Sequence, residues 1–283
     1  SEMCIRDRNY TMYVVQQNSA HMRGVYKTMR YVIITGTSQG LGEAIATQLL
    51  EKNTTVISIS RRENKELTKL AEQYNSNCVF HSLDLQDVHN LETNFNKIIS
   101  SIQEDSVSSI HLINNAGTVA PMKPIEKAES EQFITNVHIN LLAPMILTST
   151  FMKHTKEWKV DKRVINISSG AGKNPYFGWG AYCTTKAGVN MFTQCVATEE
   201  AEKKYPVKIV AFAPGVVDTN MQAQIRETNK EDFTNLDRFI TLKEEGKLLS
   251  PEYVAKAIRN LLETEDFPQG EACLLYTSLM ARG

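Results

Sequence analysis

The chain has 283 residues and a formal net charge of −1, from 31 lysines and arginines against 32 aspartates and glutamates. This balance gives no support for binding to nucleic acid or to an anionic membrane surface, and no apolar run approaches the ~20 residues of a membrane span. Five cysteines are scattered without metal-ligand spacing, which favours reduced thiols in a cytoplasmic protein without a metal site.

The two ends of the chain differ in character from the rest. Residues 1–28 show neither helix nor strand periodicity, and Met29 directly precedes a clean strand pattern. Both ends resemble translated sequencing-adapter sequence. We therefore expect a non-native or disordered extension at 1–28, one domain at 29–272 and a non-native tail at 273–283. Whether the last strand of the sheet forms is left open, because the tail begins where that strand is expected.

From Tyr31 onward, short apolar runs alternate with amphipathic helical patterns. The runs predict strands at 31–34, 55–59, 78–81, 110–113, 163–167 and 207–212, and the helical patterns lie at 41–49, 65–74, 88–102, 136–154 and 182–204. Continuous apolar strands separated by helices indicate a parallel sheet covered on both faces. We predict a single α/β domain with a Rossmann-type doubly wound sheet.

A glycine-rich turn, Thr35–Gly42, follows the first predicted strand and opens a helix. Glycines at such a turn let the main chain approach a diphosphate, and the helix N-terminus supplies free amides. The turn is not a P-loop, because no Lys-Ser/Thr follows its last glycine. The alternative is that these glycines serve only turn and packing geometry.

Two arginines, Arg61 and Arg62, follow the second strand, where folds that bind NAD carry an acid for the ribose hydroxyl. An arginine at this place accommodates a 2′-phosphate, so the pair favours NADP(H). The alternative is a solvated basic pair. Asp84, after the third strand, is a candidate acceptor for the adenine amino group, or else a helix N-cap.

Ser169, Tyr182 and Lys186 form a candidate catalytic group. A tyrosine four residues before a lysine shares one helix face with it, and an ammonium nearby favours the phenolate. Such a pair can work as an acid or base near neutral pH. Taken alone the trio is weak, because this spacing occurs by chance on many helices.

Together these motifs resemble the short-chain dehydrogenase/reductase family. The matching segments are, in chain order, Thr35–Gly42, Asn114–Gly117, Asn140, Ser169, Tyr182–Lys186 and Pro214–Gly215. The resemblance covers residues 29–270. The stretch 214–228 is similar to the bacterial sepiapterin reductase-like subgroup, which includes benzil reductases that form (S)-benzoin.

The resemblance implies a catalytic tetrad. It makes Tyr182 the acid that protonates the carbonyl oxygen, and Lys186 the residue that binds the nicotinamide ribose and lowers the pKa of Tyr182. Ser169, rather than Ser168, has the family spacing to the tyrosine and is implied to hydrogen-bond the substrate carbonyl. Asn140 is implied to hold a water that links the lysine to solvent. The alternative for Asn140 is a helix-internal amide bonded to the main chain.

The cofactor implied is NADP(H). Asn114 and Gly117 are implied to line the adenosine side, and the Val217 main chain and Thr219 to meet the nicotinamide carboxamide. The predicted cofactor-binding residues are Gly36, Ser38, Gly40, Leu41, Gly42, Arg61, Arg62, Asp84, Leu85, Asn114, Ala116, Gly117, Tyr182, Lys186, Pro214, Gly215, Val217 and Thr219.

Three aromatic residues lie close before the tyrosine, which suits a flat aromatic ketone. The candidate substrate contacts are Tyr176, Phe177, Trp179 and Met221. The alternative is that the aromatics pack the loop onto the sheet. Residues 218–247 are expected to form a helical lid, or else an ordinary pair of surface helices.

The expected activity is NADPH-dependent reduction of a small-molecule ketone, an aromatic 1,2-diketone giving an α-hydroxyketone. Sepiapterin is disfavoured, because the acid that anchors the pterin in animal sepiapterin reductases falls at about Leu274 here, with Glu271 nearby. The alternatives are a pterin side-chain carbonyl reductase, a ketoacyl reductase or sugar or steroid dehydrogenase of the same family, and a non-catalytic NADP(H)-binding sensor.

The family forms dimers through helices that correspond to 136–154 and 183–204, so we expect a homodimer. Their apolar residues could equally face their own sheet. These residues are Leu141, Met145, Val189, Phe192 and Val196.

Overall fold

A parallel seven-stranded sheet organises the part of the chain that the computed structural model describes, residues 29–275. The strands are β1 (Met29–Thr35), β2 (Thr54–Ser60), β3 (Asn77–Ser82), β4 (Val107–Asn114), β5 (Asp161–Ile167), β6 (Lys208–Ala213) and β7 (Ala272–Leu274). Their order across the sheet is β3-β2-β1-β4-β5-β6-β7. The doubly wound α/β fold predicted from the sequence is confirmed.

Helices connect the strands. They are α1 (Gly40–Gln48), α2 (Lys65–Gln73), α3 (Val88–Ile99), α4 (Ser130–Val137), α5 (Ala143–Thr155), α6 (Gly180–Glu200), α7 (Asn220–Arg226), α8 (Leu236–Glu244) and α9 (Pro251–Glu263). Among the described residues, no helix is both long and apolar enough to cross a membrane.

The predicted non-native extension at 1–28 and most of the predicted non-native tail, residues 276–283, lie outside the described residues. Of the tail predicted to be non-native, 273–275 are described. Cys273 and Leu274 belong to β7, and Phe212 of β6 is in register with Cys273. The last strand of the sheet therefore forms, although Ala272–Leu274 is its shortest member.

The helix predicted at 136–154 is interrupted. A π-helical turn, His138–Leu142, separates α4 from α5, and the Ala143 N–H donates to the His138 carbonyl five residues back. Pro144 explains the break, because it has no N–H to donate to the carbonyl of Asn140 four residues earlier and its ring crowds that carbonyl. Asn140 thus lies on an irregular turn, which is where functional groups are often found.

Two apolar layers cover the sheet. One face packs Ile45 of α1, Leu49 directly after that helix and Ile258 of α9, all nearly inaccessible to solvent. The other face packs Phe95 of α3 and Phe151 of α5 together with residues of α6. With both faces covered, the open edge is the carboxyl end of the strands, where the loops that carry the candidate residues emerge.

Candidate active site

β1 and β4 are neighbours in the sheet, although two strands and their helices separate them in sequence. After β1 the chain continues toward the β3 edge of the sheet, and after β4 it continues toward the β7 edge. Such a switch point creates a crevice between the loops, and ligands of open α/β sheets bind there. The glycine turn after β1 and the segment after β4 form its two walls.

The glycine turn has a shape that only glycine permits at two positions. Gly36 has φ +76°, and a Cβ on it would lie 2.9 Å from the Ala116 Cα. A Cβ on Gly42 would lie 2.1 Å from the Gly36 carbonyl oxygen. The side chain of Gln39 makes no capping hydrogen bond at the start of α1, so the first amides of the helix, beside Gly40 and Leu41, remain available to an anion.

Thr35 and Asn115 tie the two walls together. The Thr35 hydroxyl accepts from the main-chain N–H groups of Asn115 and Ala116 at 3.0 and 3.1 Å. The Asn115 amide donates to the Thr35 carbonyl at 2.9 Å. Sequence reasoning missed Asn115. The doubled asparagine after β4 was the available signal, and spacing alone could not say which of the two faces the turn.

Asn114 has a different environment from the one expected of a crevice residue. Its side chain is buried and donates to the Thr148 hydroxyl at 3.1 Å and to Oδ1 of Asn166 at 2.8 Å. These bonds link β4 to β5 and α5. The predicted contact of Asn114 with the adenosine of the cofactor would therefore involve its main chain. This contact stays a prediction.

The residues predicted to read the adenosine end lie on the far side of the crevice from the catalytic group. Arg61 and Arg62 are exposed at the end of β2. Among the described residues neither forms an ion pair, so both guanidinium groups are open to a ligand. Asp84 is also exposed and caps a local turn by accepting from the Gln86 N–H at 3.0 Å. Leu85 is buried.

Tyr182 and Lys186 lie on α6, and both are buried. The Lys186 ammonium donates to the Ile167 carbonyl at 2.7 Å, at the end of β5, and lies 5.7 Å from the centroid of the Tyr182 ring. Ser169 follows β5 directly, its hydroxyl accepts from the Ala171 N–H at 3.2 Å, and it lies near enough to Tyr182 to act on the pKa of the phenol. Three members of the predicted tetrad therefore meet at the carboxyl edge of β5.

Burial sets the ionisation of this group. Burial raises the pKa of Tyr182, and the nearby hydroxyl of Ser169 only partly opposes that shift. Burial also lowers the pKa of Lys186 to about 8. The expected lowering of the tyrosine pKa by the lysine is not seen in this structure, where desolvation sets the direction of the shift and the Lys186 ammonium donates to the Ile167 carbonyl. A phenol that keeps its proton is suited to act as an acid.

Asn140 is buried on the π turn, and its amide pairs with the main chain of Thr118. It accepts from the Thr118 N–H at 2.8 Å and donates to the Thr118 carbonyl at 2.8 Å. A Cβ on Gly117 would lie 3.2 Å from Oδ1 of Asn140 and 3.8 Å from Nζ of Lys186. Gly117 thus separates the two side chains. The Asn140 side chain is bonded to the main chain, which is the alternative that the sequence analysis gave for this residue.

The segment after β6 closes the other end of the crevice. Pro214 is buried, Gly215 turns the chain with φ +80°, and Val217 is bridged to Leu249. Thr219 begins α7, and Asn220 donates to the side chain of Gln39 at 2.8 Å. This bond spans the mouth of the crevice, from the glycine turn that also carries Ser38 to the first turn of α7.

The predicted substrate residues separate into two groups. Trp179 is buried, and its ring lies 5.3 Å from that of Tyr182 and 4.6 Å from that of Phe233. Its indole N–H has no hydrogen-bond partner among the described residues. Tyr176 and Met221 are partly buried against the same cluster. Phe177 is half-exposed.

The predicted lid is helical, as expected, and consists of α7, α8 and the loop between them. Ile225, Phe233, Leu236 and Phe239 are its buried apolar residues, and they form one apolar cluster with Trp179 and Tyr182. Gly178 allows this contact, because a Cβ there would lie 2.0 Å from the carbonyl oxygen of Asp232. The lid therefore rests directly on the loop that precedes Tyr182.

Comparison with known proteins agrees with this geometry. A family model described as short chain dehydrogenase matches residues 30–230. A benzil reductase ((S)-benzoin forming) of Bacillus cereus is 95% identical over 243 residues, 86% of this chain and 98% of that protein. A sepiapterin reductase of Rattus norvegicus is 31% identical over 84% of this chain and 93% of that protein.

Solved structures share the fold. The crystal structure of the KRED1-Pglu enzyme superposes with a TM-score of 0.72 at 28% identity, covering 86% of this chain and 99% of that one. The crevice, the buried tyrosine and lysine, and the family match over residues 30–230 agree. The chain belongs to the short-chain dehydrogenase family of oxidoreductases.

Proposed function

We propose that this protein is an NADPH-dependent carbonyl reductase that converts an aromatic 1,2-diketone of the benzil type to an α-hydroxyketone. The observation that carries the proposal is the meeting of Ser169, Tyr182 and Lys186 at the crevice, with Tyr182 held protonated by burial. The relative with 95% identity is a benzil reductase, and it covers most of this chain.

The residues divide the chemistry between them. When bound, NADPH supplies the hydride. Addition of hydride to a ketone builds negative charge on the carbonyl oxygen, and the hydroxyls of Ser169 and Tyr182 would both donate to that oxygen. Tyr182 then gives up its proton. Lys186, cationic below its pKa of about 8, stabilises the resulting phenolate.

After Tyr182 has given up its proton, a new proton would reach it from the side of the site where Asn140 lies. The Asn140 side chain is engaged with Thr118, but Pro144 cannot donate to the Asn140 main-chain carbonyl. That carbonyl supports the expectation that Asn140 holds a water near Lys186, on the path to solvent.

For the cofactor, the start of α1 suits a dinucleotide phosphate, since the side chain of Gln39 leaves the first amides of the helix uncapped. The choice of NADPH over NADH rests on Arg61 and Arg62, both exposed at the end of β2 with no ion-pair partner among the described residues. Their planar donors match a phosphate. The remaining predicted cofactor contacts surround the same crevice and belong to this proposal.

For the substrate, the aromatic surroundings of Tyr182 favour a flat, apolar ketone. Tyr176, Phe177, Trp179 and Met221 remain the proposed contacts, with Trp179 as the buried wall. Reduction of sepiapterin is the weaker alternative. Leu274, at the place of the pterin-anchoring acid, is apolar and lies in β7, and Glu271 precedes that strand.

A homodimer is proposed through the outer faces of α5 and α6. Val189 and Val196 are buried in their own subunit, so they do not serve this contact. Met145 and Met191 are exposed there, with relative exposures of 36% and 60%. Exposed apolar surface of this kind marks interaction sites. Light scattering on the purified protein tests whether it is a dimer. The cellular location that we propose is the cytoplasm.

The activity is tested by following NADPH and NADH oxidation with benzil, 1-phenyl-1,2-propanedione, sepiapterin and an acetoacetyl thioester. We expect turnover with the two diketones and NADPH, and an α-hydroxyketone product on chiral chromatography. Tight NADPH binding without turnover of any dicarbonyl would favour the non-catalytic sensor. Preference for the thioester would favour the ketoacyl reductase alternative.

A further inference from the structure

We infer that Asn136 is a positioning residue for the proposed reduction, acting through Asn140 and Thr185. Asn136 is fully buried near the end of α4 and lies outside the motifs that identify the family. Its side chain contacts three separate elements: the segment after β4, the π turn and α6. This inference rests on the proposed function, since the effect is expected on proton transfer to the ketone.

The orientation of every amide in this group is dictated by the main chain. The Thr118 N–H can only donate, so the atom of Asn140 facing it at 2.8 Å is Oδ1. Nδ2 of Asn140 then donates to Oδ1 of Asn136 at 3.1 Å. Nδ2 of Asn136 in turn donates to the Ala120 carbonyl at 2.6 Å and is 3.4 Å from the Thr118 carbonyl.

The same oxygen of Asn136 also receives the hydroxyl of Thr185 at 3.0 Å. Thr185 lies on α6 between Tyr182 and Lys186 and has one proton to donate. Two competing acceptors, the carbonyls of Ala181 and Tyr182, lie at 3.1 Å each. Asn136 therefore draws the hydroxyl away from the helix carbonyls. Without it, the hydroxyl would bond back to its own helix, an interaction that bends helices.

The hydrogen bonds of Asn136 affect the distance between the side chains of Asn140 and Lys186. Gly117 separates these two side chains, and the adjacent Thr118 is held from both sides by Asn140 and Asn136. Oδ1 of Asn136 thus joins the π turn to α6, beside a longer direct contact of 3.4 Å from Nδ2 of Asn140 to the Thr185 hydroxyl. Because Asn136, Asn140 and Thr185 are all buried, no solvent molecule substitutes freely for the bonds between them.

The test uses Asn136→Val, Thr185→Val, their double variant and Thr185→Ser in the full chain. Thr155→Val is the matched control, because Thr155 is also a buried helix threonine bonded to the carbonyl four residues back, but it lies outside this group. The measurements are NADPH affinity by fluorescence, single-turnover reduction of benzil in H₂O and D₂O, and thermal unfolding.

We expect Asn136→Val and Thr185→Val each to slow single turnover on the order of tenfold or more, as small misplacements of reacting groups do. NADPH affinity should change by less than about twofold, and the solvent isotope effect should rise as proton transfer becomes limiting. The double variant should be no slower than the worse single variant, and Thr185→Ser should behave as wild type.

Other results overturn the inference. An unchanged isotope effect, additive losses in the double variant, or an equal loss in Thr155→Val would each mean a general loss of stability. If Asn136→Val does not fold, Thr185→Val decides the matter: wild-type behaviour of that variant is sufficient to reject the inference. Absence of benzil turnover by the wild-type protein contradicts the proposed function instead, and that assay is run first.

Discussion

The indole of Trp179 stacks on the ring of Phe233, with centroids 4.6 Å apart and planes inclined by 24°. Trp179 lies three residues before Tyr182, and Phe233 lies between α7 and α8. The pair joins the lid to the loop that precedes Tyr182 and α6. The position of the lid is thereby coupled to that of Tyr182, through this contact and through a second one between Trp179 and Phe239, with centroids 5.4 Å apart.

Truncation of this contact is expected to weaken both folding and substrate binding. Phe233 is fully buried, so Phe233→Ala should cost about 3–5 kcal/mol in the free energy of unfolding. Because the lid would then lose its anchor, KM for the diketone should rise more than Kd for NADPH. Urea unfolding and steady-state kinetics measure the two effects. Phe177→Ala, at a half-exposed position, is the stability control and should stay within about 0.5 kcal/mol.

Removal of the acid should stop the chemistry without removing the cofactor. Tyr182→Phe keeps the buried ring but loses the hydroxyl, and we expect kcat to fall by about 10²–10⁴. NADPH affinity, measured by fluorescence titration, should change little. Ser169→Ala should cost about 10²–10³, since one donor to the oxyanion remains. Retained turnover in Tyr182→Phe would exclude Tyr182 as the acid.

The two exposed arginines should decide the cofactor preference. We expect Arg61→Ala with Arg62→Ala to weaken NADPH binding by a factor of about ten or more and to leave NADH binding nearly unchanged, because only NADPH carries the 2′-phosphate. The difference should shrink as salt concentration rises, since these groups are solvent-exposed. Equal losses for both cofactors would remove the phosphate assignment.

The pH dependence should have a falling limb above neutrality. The pKa of Lys186 is lowered to about 8, so the cation that favours the phenolate is present below this pH and lost above it. The pKa of Tyr182 is raised, so the phenol stays protonated over the same range. We expect kcat/KM for NADPH, which reports ionisations of the free enzyme, to decline as pH rises through about 8. A flat profile from pH 6 to 10 would contradict this role for Lys186.

The sequence by itself determined the architecture and the family. Six apolar runs separated by helical patterns indicated a parallel sheet covered on both faces, and the glycine turn after the first run favoured a dinucleotide-type crevice. The candidate tyrosine and lysine were identified by their spacing of four on one helix together with the other motifs of the family. These are local properties, because strand burial, helix periodicity and turn geometry each depend on residues close in the chain.

Other features depended on residues far apart in sequence. Which of Asn114 and Asn115 faces the crevice was decided by packing against β1 and β5. The role of Trp179 as a lid contact was decided by Phe233, 54 positions away in the numbering. Asn136 shows no motif, and only the approach of α6 reveals that it holds Asn140 and Thr185 together.

The physical reason is the same in each case. A hydrogen bond or a ring contact fixes a side chain only once its partner is present, and the partner here comes from another strand or helix. The tyrosine pKa illustrates this, since the sequence predicted a lowering by Lys186, whereas burial by the assembled fold raises it. Desolvation is a property of the whole structure, so no local pattern in the chain could have given its magnitude.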